Sequence, residues 1–391
     1  MGWEYRYTLL TLCTLAFFAT MVARLAISPL VPAITADFEI TNATIGAALT
    51  GMWLAYALTQ FPSGILGDRF GERVVILTAV GGTAVMSFVL AAAPVLAVFV
   101  VSAVILGAVA GLHYSVATSL LTRTFDDRVG MAVGVHTIGS PAAGLIAPIA
   151  AVWVGSVYGW RAGVALGTVV AAPVFVLFAL RARGTEPRRP DQPMSERIEL
   201  EPLVALLSKP PIAFTVCIAA ISAFVWQGIA SFLPTFLVEY RGQSATAAGV
   251  VFSSYFVVQA VTKPVIGSLS DAHGRDGVIV GCMVATAIGL VLFVAAPGVL
   301  AVVAAVVLVG TGMGWASAVE PRFMDELTDR ERSAGFGLVR TVYLIVGSLG
   351  SVAVGFFADA FGWATAFAVL TLLLLAVFVA VAANHVFSLE Y

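Results

Sequence analysis

Three cations and two imidazoles stand inside long runs of Ala, Val, Leu, Ile and Phe: Arg24, Lys263, Arg340, His113 and His136. An ionised side chain at bilayer depth costs at least about 2.5–3.5 kcal/mol on insertion scales, so each needs a counter-charge, a route to the interface or a function. The chemistry open to such a set is recognition of an anion. Arginine presents a planar fork that pairs in bidentate fashion with carboxylate, nitrate or phosphate, and histidine titrates near neutral pH. Glu320, at the end of an apolar run, is the acid best placed to meet Lys263 or Arg340, and Gln227 and Tyr343 add hydrogen-bonding groups. The expected substrate-binding set is Arg24, Arg340, Gln227, His113, His136 and Tyr343, with Lys263 and Glu320 as coupling or gate residues. Plainer roles compete with this. Lys263 can snorkel to the interface, Arg340 and Glu320 can form a structural bridge, and the histidines can be neutral packing residues. Arg24, in mid-run with no acid in its own segment, is the hardest to explain structurally.

The elements that must hold these residues are membrane spans. The 391-residue chain is 60% hydrophobic and 11% charged, too little charge to cover a soluble surface. Apolar runs of about 20 residues, enough to cross a bilayer, fall near 8–34, 43–66, 74–93, 95–121, 129–155, 161–181, 211–238, 245–269, 277–296, 298–320, 333–358 and 363–384. Twelve transmembrane helices in an all-α integral membrane fold are expected. With both termini cytoplasmic, fifteen Lys and Arg fall on the inner side and only Arg161 and Arg241 on the outer side, as the positive-inside rule requires. The net charge of −2 hides that asymmetry, and no nucleic-acid partner is implied. The first run reads as a retained span, since it lacks a small-residue cleavage site. Arg6 stands where a myristoylation site has Ser or Thr. Cys13, Cys217 and Cys282 lie inside spans without CxxC spacing, so neither disulfide nor metal chemistry is expected. With no HExxH, GxSxG or P-loop pattern, no enzyme and no cofactor are expected.

The chain also repeats. Gly67-Asp68-Arg69-Phe70-Gly71-Glu72-Arg73, a charged turn between the second and third runs, is echoed 203 residues later by Ser270-Asp271-Ala272-His273-Gly274-Arg275. The same offset pairs Ser28 with Ser231, Gly107 with Gly310, Gly111 with Gly314, Asp126 with Asp329, and Gly159-Trp160 with Gly362-Trp363, without a gap. The expected domains are therefore a six-helix bundle over 1–181, a Pro- and Arg-rich cytoplasmic linker over 182–210, and a second six-helix bundle over 211–391. A short interfacial helix is expected near Ile198–Leu207.

Twelve spans in two pseudo-symmetric halves, with Gly-Asp-Arg-Phe-Gly-Glu-Arg between helices 2 and 3, resemble the major facilitator superfamily. The resemblance spans essentially the whole chain. It implies two bundles rocking around a central site, each half an inverted pair of three-helix units. It also implies that Gly67, Asp68, Arg69, Gly71 and Arg73 form a cytoplasmic latch, echoed by Asp271, Gly274 and Arg275. Physically, the glycines allow close backbone approach, Asp68 can cap a neighbouring helix N-terminus, and Arg69 and Arg73 can pair with acids or lipid headgroups. Asp276 takes the place of Arg73 in the second copy, which weakens the echo. Gly134, Gly139, Ser140-Pro141 and Gly144 are similar to the helix-5 motif of the exporter branch, although Ser140 stands where that motif has Gly. Close helix packing with a proline kink is the plainer reading of the same residues. Ala103 stands where proton-coupled exporters of the family often carry Arg.

At the 203-residue offset Arg24 matches Gln227, His113 matches Ala316, Arg340 matches Thr137 and Lys263 matches Gln60. The buried charges are thus additions to one half each, and cations outnumber acids. The sequence points to a monomeric secondary transporter of the cytoplasmic membrane that moves a small organic carboxylate or inorganic oxyanion. Export of hydrophobic compounds is the alternative. Without a mid-membrane carboxylate, coupling is left to a histidine-borne proton or to a counter-anion.

Overall fold

In the computed structural model, residues 4–188, 205–327 and 332–387 are described, those at 332–334, 336 and 385 by their backbone. The expected helix near residues 198–207 falls largely outside that range. The described chain is helical throughout. In the first part these are α1 (Tyr5–Leu25), a 3₁₀ turn (Ser28–Leu30), α2 (Val31–Phe38), α3 (Asn42–Phe70), α4 (Glu72–Ala91), α5 (Leu96–Gly111), α6 (His113–Thr124), α7 (Val129–Thr137), α8 (Gly139–Tyr158) and α9 (Trp160–Arg181). The second part holds α10 (Pro210–Glu239), α11 (Ala245–His273), α12 (Arg275–Ala295), α13 (Val299–Gly312), α14 (Ala316–Glu326), α15 (Arg332–Ser348), α16 (Gly350–Phe361) and α17 (Trp363–Val386).

Among the described residues, eleven helical stretches are long and apolar enough to cross a membrane. Each coincides with one of the expected runs. The remaining run, 43–66, is the 29-residue α3. It is long enough to span, but Thr44, Thr50, Thr59, Gln60, Ser63, Asp68 and Arg69 dilute its apolar character. Several spans are broken, of which only the fifth carried an expected proline kink. The fourth divides at Leu112 into α5 and α6, the fifth at Ile138 into α7 and α8, and the eleventh at Leu349 into α15 and α16. In the fifth the break lies just before Pro141, which then sits in the first turn of α8, where a missing N–H costs nothing.

By packing, the chain forms two units. One comprises residues 1–39 and 51–198, the other 40–50 and 199–391. The long α3 is therefore shared, its first nine residues clustering with the second unit. There the Asp359 carboxylate of α16 accepts hydrogen bonds from the backbone N–H of Asn42 (3.2 Å) and Ala43 (2.6 Å), satisfying two of the orphan donors at a helix start. Two turns on, the Thr50 hydroxyl donates to the Ser348 carbonyl (2.9 Å) and accepts from the Val352 N–H (3.0 Å). It thereby fills the break between α15 and α16.

Each unit repeats one close helix crossing. In the first, Gly107 of α5 lies directly against the Met52 carbonyl of α3. In the second, a Cβ on Gly310 of α13 would come within 3.0 Å of the Tyr255 carbonyl of α11. Met52 and Tyr255 stand at the same 203-residue offset as the two glycines. Small residues at such crossings let backbones approach where lipid gives no hydrophobic drive.

A buried arginine and histidine cluster and a second charged cluster

Arg24 lies in the last turn of α1 and is 1% exposed. Its Nε donates to the Thr20 carbonyl one turn back (3.1 Å) and one terminal nitrogen to the Met21 thioether (2.8 Å). The guanidinium carbon lies 4.0 Å from the Tyr56 ring centre and 4.8 Å from that of Trp53 on α3. Cation–π attraction at a desolvated site is worth about 2 kcal/mol. The other terminal nitrogen, NH1, is buried and makes no hydrogen bond. No carboxylate pairs with Arg24 among the described residues.

His113 opens α6 beside the Leu112 break, and His136 lies near the end of α7; both are fully buried. Their rings lie 5.4 Å apart. Phe17 of α1 stacks on His113 at 5.9 Å and meets His136 at 5.2 Å. Tyr114 stacks on His136 at 6.0 Å and lies 5.4 Å from Phe17. Neither ring nitrogen of His113 has a hydrogen-bond partner; Arg24 and His136 are its titratable neighbours. Three residues expected at the site, Arg24, His113 and His136, are thus brought together in the first unit. Thr20, Met21, Phe17 and Tyr114 complete the cluster and carried no signal in the sequence, where they read as ordinary span residues.

The second unit gathers Lys263 of α11, Glu320 of α14, and Arg340 and Tyr343 of α15. Glu320 and Arg340 are the charged neighbours of Lys263, and the Tyr343 hydroxyl donates to Glu320 (3.3 Å). Tyr343 packs edge-on against Trp315, centroids 6.0 Å apart. Lys263 is exposed, and Glu320 and Arg340 are partly so, in contrast to the sealed cluster around Arg24. Gln227 of α10 is 4% exposed, and its side-chain oxygen has no hydrogen-bond partner.

The expected latch residues occupy the α3–α4 turn. Gly71 takes φ +84° at the start of α4, and Gly274 takes φ +89° at the start of α12. Such backbone is open to glycine at little cost. Arg73 caps the end of α9, donating from Nε to Ala182 (2.9 Å) and from a terminal nitrogen to Ala179 (2.7 Å). Asp68 lies 3.6 Å from Arg188, whose backbone N–H also donates to the Asp68 carbonyl (2.9 Å). Glu72, 4% exposed, pairs with Arg123 and with Arg188 at 3.4 Å. Arg69 lies over the Phe70 ring. In the second unit Arg275 pairs with Asp271 and Asp325, and Asp276 with Arg322 (2.8 Å). The order of charge is reversed between copies: Glu72-Arg73 in one, Arg275-Asp276 in the other.

A helical membrane protein with apolar spans, an internal repeat and buried cations is the architecture of a solute carrier. Comparison with known proteins makes the class specific. The Major Facilitator Superfamily model matches residues 13–244 and 215–386, and the chain belongs to that superfamily of secondary transporters. Among curated proteins it is similar to the multidrug resistance protein MdtG of Citrobacter koseri, 23% identical over 295 residues, 72% of this chain and 71% of that protein. It is also similar to the probable nitrate transporter NarT of Staphylococcus epidermidis, 26% identical over 266 residues, covering 67% and 66%. Among solved structures, a bacterial homologue of the human lysosomal transporter Spinster shares its fold at TM-score 0.82 and 18% identity, covering 98% of each chain. The D-xylose–proton symporter does so at TM-score 0.79 and 15% identity, covering 96% and 97%.

Proposed function

We propose that the protein carries a small anion, an organic carboxylate or inorganic oxyanion, across the cytoplasmic membrane by alternating access. The observation that carries this reading is Arg24: a guanidinium 1% exposed, with a free NH1 edge and no carboxylate partner among the described residues. A buried charge without a counter-charge is costly, and a substrate anion supplies one. Met21 supports the reading, because a thioether is a weak acceptor that an oxyanion can displace to gain a bidentate grip. His113, with both ring nitrogens unbonded, offers a further donor beside it. In the second unit Arg340, Lys263, Gln227 and Tyr343 form a further candidate set for a substrate anion or counter-ion, and Glu320 tempers the positive charge. Asp68, Arg73 and their neighbours act as the gate. Similarity to a probable nitrate transporter makes nitrate a first substrate to try.

In proteoliposomes, Arg24→Gln is expected to abolish uptake of labelled nitrate or a small carboxylate while leaving monodisperse protein. Full uptake by that variant overturns the reading. A second reading, export of hydrophobic compounds, draws on similarity to MdtG and on the aromatic rings around Arg24. Thermal stabilisation by lipophilic cations, with none by small anions, would favour it.

A further inference from the structure

Where α9 ends, the chain from Ala182 to Thr185 folds back over the turn and encloses a cavity of about 240 Å³. Arg73, Arg183, Tyr5 and Thr124 line it, and Leu9 and Phe178, both buried, form its floor. Arg6, Arg123 and Arg188 near this end have acid partners, Arg6 with Glu4 and Asp127, Arg123 with Glu72, and Arg188 with Asp68 and Glu72. Arg69 and Arg181, which do not line the cavity, have none among the described residues. Arg73 and Arg183 have none among the described residues. The Arg73 guanidinium is held by two carbonyls, which take two of its five N–H donors without neutralising its charge. Arg183 lies 4.2 Å over the Tyr5 ring, and its backbone N–H donates to the Tyr5 hydroxyl at 2.7 Å.

We propose that this cavity binds the phosphate headgroup of an acidic phospholipid. Two un-neutralised guanidinium groups flanked by hydroxyls match a phosphodiester anion, and the apolar floor matches the glycerol and first acyl carbons attached to it. The position fits as well. The cavity sits at the end of the 22-residue apolar α9, where headgroups lie and where basic side chains meet anionic lipid. The lipid would complete the charge balance around Arg73 and fasten the 182–185 strap against the turn. A free phosphate ester has the same anionic chemistry but no use for the floor.

The test is native mass spectrometry of the purified protein with phosphatidylglycerol, phosphatidylcholine or inorganic phosphate, alongside lipid-dependent thermal melting. Phosphatidylglycerol is expected to be retained and to raise the melting temperature, phosphatidylcholine much less. Arg183→Gln, at an exposed position, is expected to weaken phosphatidylglycerol retention about fivefold, the worth of one basic residue at an anionic surface. Arg128→Gln, a change in a nearby arginine outside the cavity, should leave retention unaltered. Equal losses in the two variants, or no preference for phosphatidylglycerol in the wild type, would overturn the proposal. Displacement of the lipid by millimolar inorganic phosphate would also overturn it, assigning the cavity to a soluble phosphate. Should Arg183→Gln fail to fold, Arg183→Lys must retain most of the lipid preference, since it keeps the charge.

Discussion

Arg24 shows how a side chain can be well packed and still electrically unfinished. Its guanidinium lies against the Trp53 and Tyr56 rings, its Nε is taken by a carbonyl and one terminal nitrogen by a thioether, yet no acid among the described residues balances it. Removing such a charge should cost the fold little, because burying it already opposes stability. Arg24→Met is therefore expected to hold or raise the melting temperature in detergent while eliminating transport. A large fall in melting temperature would mark Arg24 as structural. Arg24→Lys keeps the charge but loses the planar fork and its fit between two rings. Anion affinity is expected to drop by about tenfold, equivalent to about 1.4 kcal/mol, as read by anion-dependent thermal shift. The residue was conspicuous in the sequence because it is an ion in an apolar run. Its aromatic clamp was less so, since Trp and Tyr in a span are more often packing than contact.

Among the elements, the glycine crossings carry the most exacting constraint. Gly107→Ala would press a methyl group into the Met52 carbonyl, and Gly310→Ala one into Val258 and the Tyr255 carbonyl. Each is expected to cost about 1–3 kcal/mol, the range for overpacking a tight site, measured by thermal or denaturant unfolding in detergent. Gly134→Ala, with nothing within 4 Å of the added carbon, should lie within about 0.5 kcal/mol of wild type. Helix existence was legible from apolar runs, and the 203-residue offset was legible from Gly, Asp and Trp matches. The offset now has a physical cause in each unit: a carbonyl at 52 or 255 that leaves room only for hydrogen. The break at Ile138 was announced by Gly139-Ser140-Pro141, whereas those at Leu112 and Leu349 were not legible, because Gly and Ser residues also serve close helix packing and hydropathy does not register a local loss of helical hydrogen bonds. Nor was the use of Arg73 as a helix cap, since its acceptors are backbone carbonyls more than a hundred residues away in the chain.

At the scale of the molecule, the sequence repeat implies a clean division between halves, and the packing departs from it at α3. Its first nine residues cluster with residues 199–391, through an Asp359 cap that no local pattern announces, because the acid is more than three hundred residues distant. Asp359→Asn in the full-length protein should weaken that cap, since a neutral amide is a poorer acceptor than a carboxylate at a helix start. Amide hydrogen exchange at Asn42 and Ala43 is expected to speed up by about tenfold, for about 1.4 kcal/mol lost. Unchanged protection would show that the packing of α3 holds those amides without the acid. The cap also bears on how the protein is made. Asn42 and Ala43 leave the ribosome early, whereas Asp359 and the Ser348 carbonyl that receives Thr50 follow only after some three hundred further residues. Until then the partly exposed start of α3 lacks its cap, and its N–H donors fall to water. Early α3 is thus a segment made near the beginning of synthesis whose packing is completed only near its end.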